Sequence, residues 1–198
     1  PQLQAISIKT TKPTLTWPTT SQVAIGSLEQ GLLASHVDKN LHPTASTAKL
    51  ITALTILRKK SLRVGEQGPT ITMTQNDVDI YNHYYQENGS LVQVAVGEKL
   101  TERQMLEGML LPSANNFADS LAIWAFGSLA DYRVLAQEMV KSLGMTATVI
   151  GDDASGFSPS TQRTAEDLVR PGMASMKQPV IADIADMYQN TLPHEGAI

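Results

Sequence analysis

Cysteine is absent from the 198 residues, which excludes a disulfide framework, a thiolate zinc site and a cysteine nucleophile. Positive charge is sparse: the net charge is -4, the pI 5.5, and no basic block exists beyond Arg58-Lys59-Lys60. The chain therefore carries no electrostatic footprint for nucleic acid. No apolar run approaches the ~20 residues needed to cross a bilayer. Neither an initiator Met nor a charged-then-apolar leader opens the sequence at Pro1, which reads as a processed or trimmed chain. The four histidines, His36, His42, His83 and His194, lack His-x-x-x-His spacing, so no metal site is expected. No Gly-x-Ser-x-Gly elbow occurs. Asp77 and Asp79 are followed by neither the Gly nor the Glu of a calcium loop, and Gly151-Asp152-Asp153 reads as a turn.

What is present suits one packed domain with a second lobe, at 42% hydrophobic and 17% charged residues. Residues 1–20, rich in Thr, Pro and Lys, read as an extended arm. Val23 to Leu28 and Leu32 to Val37 predict two antiparallel strands about a turn at Glu29-Gln30-Gly31. From Thr47, the spacing of Leu50, Ile51, Leu54 and Leu57 predicts a helix whose polar face carries Thr52, Thr55 and Arg58. Thr101 and Gln104 form a capping box ahead of Met105, Leu106, Met109 and Leu110. Helices follow from Asn116 to Phe126, from an Asp131 cap to a Gly144 terminus, and more briefly over Thr164 to Arg170 and Val180 to Met187. Between the lobes, Ile71 and Met73 alternate with polar residues, as do Val92, Val94 and Val96, predicting two paired strands about a Tyr-rich excursion, Tyr81 to Tyr85. That excursion is expected to pack on the helical lobe.

The strongest local signal is Ser46-Thr47-Ala48-Lys49 at the opening of a helix, the one Ser-x-x-Lys in the chain. Residues three apart share a helix face, so the Lys49 amine can reach the Ser46 hydroxyl and take its proton during attack. Burial and the positive helix N-terminus would loosen the lysine's hold on its proton. The Ser46 backbone N–H at that terminus offers an oxyanion donor. The plain alternative is that Ser46 is a helix cap. A second element, Ser113-Ala114-Asn115, falls in a break between two helices, where Ser113 or Asn115 could likewise be a cap.

Together the two motifs resemble those of the penicillin-recognising serine enzymes, where they face each other across a cleft. The runs Pro43-Thr44-Ala45-Ser46-Thr47-Ala48-Lys49-Leu50-Ile51-Thr52-Ala53-Leu54 and Leu111-Pro112-Ser113-Ala114-Asn115-Asn116 are similar to those of the D-Ala-D-Ala carboxypeptidases, the low-molecular-weight penicillin-binding proteins. So are Asp153-Ala154-Ser155-Gly156-Phe157-Ser158 and Ser160-Thr161 through Asp167-Leu168. The resemblance covers roughly residues 21 to 190. It implies an α/β (α+β) transpeptidase-like fold, with an antiparallel sheet flanked by helices beside an all-helical lobe. Residues 21–198 would form an incomplete catalytic domain, with the sheet and nucleophile helix in 21–60 and the helical lobe in 61–190.

The resemblance further implies that Ser46 is acylated, that Lys49 deprotonates it, that Ser113 relays a proton to the leaving amine, and that Asn115 holds the substrate backbone. The substrate would be a peptidoglycan stem peptide ending in D-Ala-D-Ala, met outside the cytoplasm by a secreted or membrane-anchored enzyme. Beta-lactam antibiotics would be covalent inhibitors, and no cofactor would be needed. The family's third element, Lys-Thr-Gly, does not occur in the sequence, and His194-Glu195-Gly196 would repel a carboxylate. The closing strands are thus expected to be missing, leaving the first strands at an unfinished sheet edge and the chain unstable or inactive alone. Two alternatives stand beside this reading. One is a class A beta-lactamase using Glu166, although Ala165-Glu166-Asp167-Leu168-Val169 lacks the accompanying Asn; the other is a non-catalytic peptidoglycan- or penicillin-binding module.

Overall fold

The computed structural model describes residues 14–198 apart from 39, 188, 189 and 194; most of the expected arm, and His194, lie outside the described residues. Strands β1 (Val23–Ser27) and β2 (Gly31–His36) pair antiparallel with a bulge between Ile25 and Gly26, where the two short apolar runs predicted them. The very short β3 (His42–Pro43) leads into a 3-10 turn, Ala45–Thr47, and then α1 (Ala48–Lys59).

Helix α1 is the hub of the core. It packs against α3 (Glu102–Leu110), α4 (Asn115–Phe126), α5 (Leu129–Ser142) and α6 (Ala165–Lys177), and every residue from Ile51 to Leu57 is buried. The expected polar face is therefore corrected: Thr52 and Thr55 lie inside. A hydroxyl is tolerated there because it is bonded, Thr55 to the Ile51 carbonyl at 2.7 Å and Thr52 to the Ala154 carbonyl at 2.6 Å. Ile51, Ile56, Met105, Leu106, Met109, Phe117 and Leu121 close the core around it.

The region between the lobes also differs from expectation. Strand β4 (Thr70–Thr72) pairs with β5 (Lys99–Thr101), and Val92, Val94 and Val96 run in irregular backbone. The Tyr-rich excursion is itself a helix, α2 (Gln75–Gln86), started by a capping box between Thr74 and Asp77. Capping explains two further shifts. Ser128, not Asp131, caps α5, with Asp131 inside the first turn. Helix α6 continues through Pro171 to Lys177 because its buried face, against β1, β2 and α1, offsets the hydrogen bond that proline removes. Helix α7 (Pro179–Ala185) and a hairpin of β7 (Thr191–Leu192) with β8 (Gly196–Ala197) complete the described chain; β6 (Gln162–Arg163) pairs with β3. All the strands pair antiparallel, two at a time, among the described residues.

Candidate active site

The 3-10 turn and α1 put Ser46 exposed at the surface and Lys49 one turn further in, 2% exposed. Lys49 Nζ donates to Ser46 Oγ at 3.0 Å, to Asn115 Oδ1 at 2.7 Å and to the Ser155 carbonyl at 3.2 Å. Three acceptors match the three N–H groups of an ammonium. Burial pushes the amine down to about 8, against a smaller upward pull from the Asp153 and Asp119 carboxylates. Once neutral, the same nitrogen has a lone pair to turn toward Ser46 Oγ–H.

The capping alternatives do not describe this geometry. Thr47 occupies the N-cap position of α1, and Ala114 that of α4, where neither Ser113 nor Asn115 can cap. Asn115 instead opens α4 and turns its amide to Lys49. That amide fits because residue 89 is glycine: a Cβ there would stand 2.6 Å from Asn115 Nδ2. The Asn115 N–H donates to the Ser90 carbonyl at 2.8 Å, and the Asn116 amide bonds both Val92 N–H and Val92 C=O, so segment 90–92 is clamped to the head of α4.

Ser113 sits half-buried in the break between α3 and α4 with φ +63. Its hydroxyl bonds neither Ser46 nor Lys49, so of the four residues singled out in the sequence the structure joins three by hydrogen bonds. Ala45, just ahead of Ser46, has φ +51. Left-handed backbone at non-glycine residues costs about 1 kcal/mol or more each and persists where the surroundings hold it; here it falls next to the proposed nucleophile and at the Ser-x-Asn element.

Sequence reasoning missed the groups behind Lys49. Tyr84 of α2, 2% exposed, donates to Asp119 Oδ2 at 2.7 Å, and Asp119 Oδ1 accepts Ala154 N–H at 2.8 Å. Asp153 Oδ2 accepts the Ser155 hydroxyl at 2.5 Å and the Phe157 N–H at 2.8 Å, shaping the loop that carries Ser155. Asp119 follows Asn115 by four residues, one helical turn, which was the signal available. Of the tyrosine cluster, Tyr84 packs into the lobe while Tyr85 is exposed and stacks on Tyr81. Glu166, in the first turn of α6, accepts the Ser35 hydroxyl from β2. Glu195 Oε2 accepts the Gln93 N–H at 2.6 Å. The described residues contain no cluster of His, Asp or Glu able to hold a metal ion.

A sequence profile of the D-alanyl-D-alanine carboxypeptidase family matches residues 10–194, nearly the whole chain. The chain belongs to this family. It is 31% identical over 176 residues to D-alanyl-D-alanine carboxypeptidase DacB2 of Mycobacterium tuberculosis, a match covering 87% of this chain and 54% of the relative. The chain thus spans about half the length of that curated relative. The crystal structure of a D-alanyl-D-alanine carboxypeptidase from Mycobacterium tuberculosis superposes with a TM-score of 0.77 at 29% identity, over 96% of this chain and 68% of that one. A Streptomyces DD-transpeptidase shares the fold, with a TM-score of 0.76 at 23% identity over 92% of this chain and 69% of that one. The α/β transpeptidase-like architecture expected from the motifs is therefore the fold of this carboxypeptidase-family chain.

Proposed function

We propose that this chain carries the serine–lysine part of an acyl-transfer site that removes the terminal D-alanine from peptidoglycan stem peptides. The observation that carries the reading is the 3.0 Å contact of a buried Lys49 amine with the exposed Ser46 hydroxyl. Neutral Lys49 takes the hydroxyl proton as Ser46 Oγ bonds to the carbonyl carbon between the two D-alanines. The carbonyl oxygen becomes an oxyanion, received by the Ser46 N–H. Ser113 relays the proton from Lys49 to the departing amine, the C–N bond breaks, and D-alanine leaves. Water then cleaves the ester and restores Ser46. Asn115 holds both the lysine and the substrate backbone. A beta-lactam meets the same serine, and its ring opens onto Oγ.

This substrate lies outside the cytoplasm, which makes the protein extracytoplasmic, secreted or anchored by a segment other than the described helices; none of these is long and apolar enough to cross a membrane. The beta-lactamase reading needs Glu166 to hold the deacylating water, and its carboxylate is engaged by Ser35 instead. A binding module would need no base buried against a nucleophile.

Intact mass before and after penicillin, with peptide mapping and a Ser46→Ala control, tests the reading. The expected result is a long-lived adduct of one drug on the peptide bearing Ser46, absent in the control. Rapid turnover of penicillin would favour the lactamase. An adduct only in a longer chain carrying a Lys-Thr-Gly strand would assign the defect to that element, and none in either would end the serine-acylation reading.

A further inference from the structure

Behind Lys49 lies a buried carboxylate that this chemistry does not use. Asp119, one turn into α4 and 5% exposed, accepts Ala154 N–H at 2.8 Å and the Tyr84 hydroxyl at 2.7 Å. Ala154 is held from its other side as well, its carbonyl accepting the Thr52 hydroxyl at 2.6 Å. The next carbonyl along, that of Ser155, accepts Lys49 Nζ. With Ala154 held on both sides, only the φ and ψ of Ser155 separate it from that carbonyl, and the Ser155 hydroxyl is itself fixed, donating to Asp153 Oδ2 at 2.5 Å.

We infer that Asp119 is a positioning residue of the acyl-transfer step: by tying Ala154 to α2 and α4 it holds the loop whose Ser155 carbonyl accepts Lys49, and its charge adds to that of Asp153 in the field around the amine. The inference rests on the acyl-transfer reading above. Asp119 bonds neither Ser46 nor Lys49, so it acts through the loop and through its field.

The other ionisable groups around it come from α1, α2, α5 and the loop that carries Ser155. Tyr84 belongs to α2, Lys49 to α1, Tyr132 to α5, where it bonds Thr52 at 2.7 Å, and Asp153 to the loop. Asp119, Tyr84 and Asp153 also line a cavity of about 430 Å³ together with Asp79, His83 and Asp152, the last paired with Arg133 at 3.1 Å. Burial raises Asp119 to about 6, so the carboxylate is charged where Lys49 titrates, and it adds to the larger pull of Asp153 in offsetting part of the effect of burial on the lysine.

The test combines nitrogen-15 NMR titration of the Lys49 amine with beta-lactam acylation rates against pH, in wild type, Asp119→Asn and Asp119→Ala. In Asp119→Asn the amide oxygen still takes Ala154 N–H and the amide nitrogen donates to Tyr84, so geometry survives and charge is lost. Its Lys49 midpoint and the acid limb of acylation should both move down by about one pH unit. In Asp119→Ala the loop is untied, and acylation at pH 9, where Lys49 is neutral, should fall at least about tenfold while Asp119→Asn keeps the wild-type rate. A wild-type midpoint in Asp119→Asn, or a wild-type rate in Asp119→Ala despite lowered thermal stability, would overturn the assignment and leave a purely structural residue. If Asp119→Ala does not fold, the Asp119→Asn titration decides alone. If neither this chain nor a longer one carrying a Lys-Thr-Gly strand is acylated, the functional reading fails, and the NMR midpoint still settles whether Asp119 controls Lys49.

Discussion

Lys49 Nζ lies closer to Asn115 Oδ1, at 2.7 Å, than to Ser46 Oγ, at 3.0 Å. The shortest of the amine's three hydrogen bonds thus comes from α4, packed against its own helix, and Asn115 serves the base before it serves any ligand. Asn115→Ala should slow beta-lactam acylation by about 10- to 100-fold, because a buried polar group loses one of its few partners. Asn115→Asp should instead place a carboxylate on the amine and raise the pH at which acylation begins. Stopped-flow acylation across pH checks both; equal profiles in the two variants would refute this role.

Acylation by the wild type should rise with pH through about 8 and then level. Lys49 must be neutral to accept the Ser46 proton, and burial lowers its value to about 8 from the ordinary 10.5. A rate already level from pH 6 upward would mean that another group is the base.

Gly156 has φ +73, and a Cβ on it would stand 2.2 Å from the Ala45 carbonyl oxygen and 2.6 Å from Ala48 Cβ. The loop bearing Ser155 can close over the head of α1 only at a residue without a side chain. Gly156→Ala should cost about 2 kcal/mol or more in urea unfolding and reduce acylation of the folded fraction. Unchanged stability would refute the contact.

Glu102 is 1% exposed, and its Oε1 has no partner among the described residues. Burial raises it to about 7 from 4.5. An acid raised on folding binds more protons folded than unfolded, so its stabilising contribution is complete below about 4.5 and is lost as pH rises through about 7. Glu102→Gln, uncharged throughout, should melt higher than wild type at pH 8, by an amount on the order of 1 to 3 kcal/mol, and the gap should close toward pH 4.5. Parallel melting curves across pH would contradict the assignment.

The sequence by itself determined the local pieces. Ser-x-x-Lys spacing placed Ser46 and Lys49 on one face of a helix, Thr101 and Gln104 capped α3, and two short apolar runs about a Gly-containing turn marked β1 and β2, because each depends on neighbours within a turn or a hairpin. What failed was decided by partners distant in the chain. Thr52 and Thr55 read as a polar face, and only the wrapping of α1 by other helices puts them inside. Val92 to Val96 alternate like a strand, yet β4 pairs with Lys99–Thr101 and the clamp by Asn116 takes the backbone bonds of Val92. The convergence of Tyr84, Asp119, Asp153 and Ser155 behind Lys49 spans more than a hundred residues of chain, and no pattern along the sequence records it. Burial is likewise a tertiary property, and burial is what lowers the proton affinity of Lys49 and raises that of Asp119: the sequence supplied a serine and an amine within reach of each other, and packing set the amine's proton affinity.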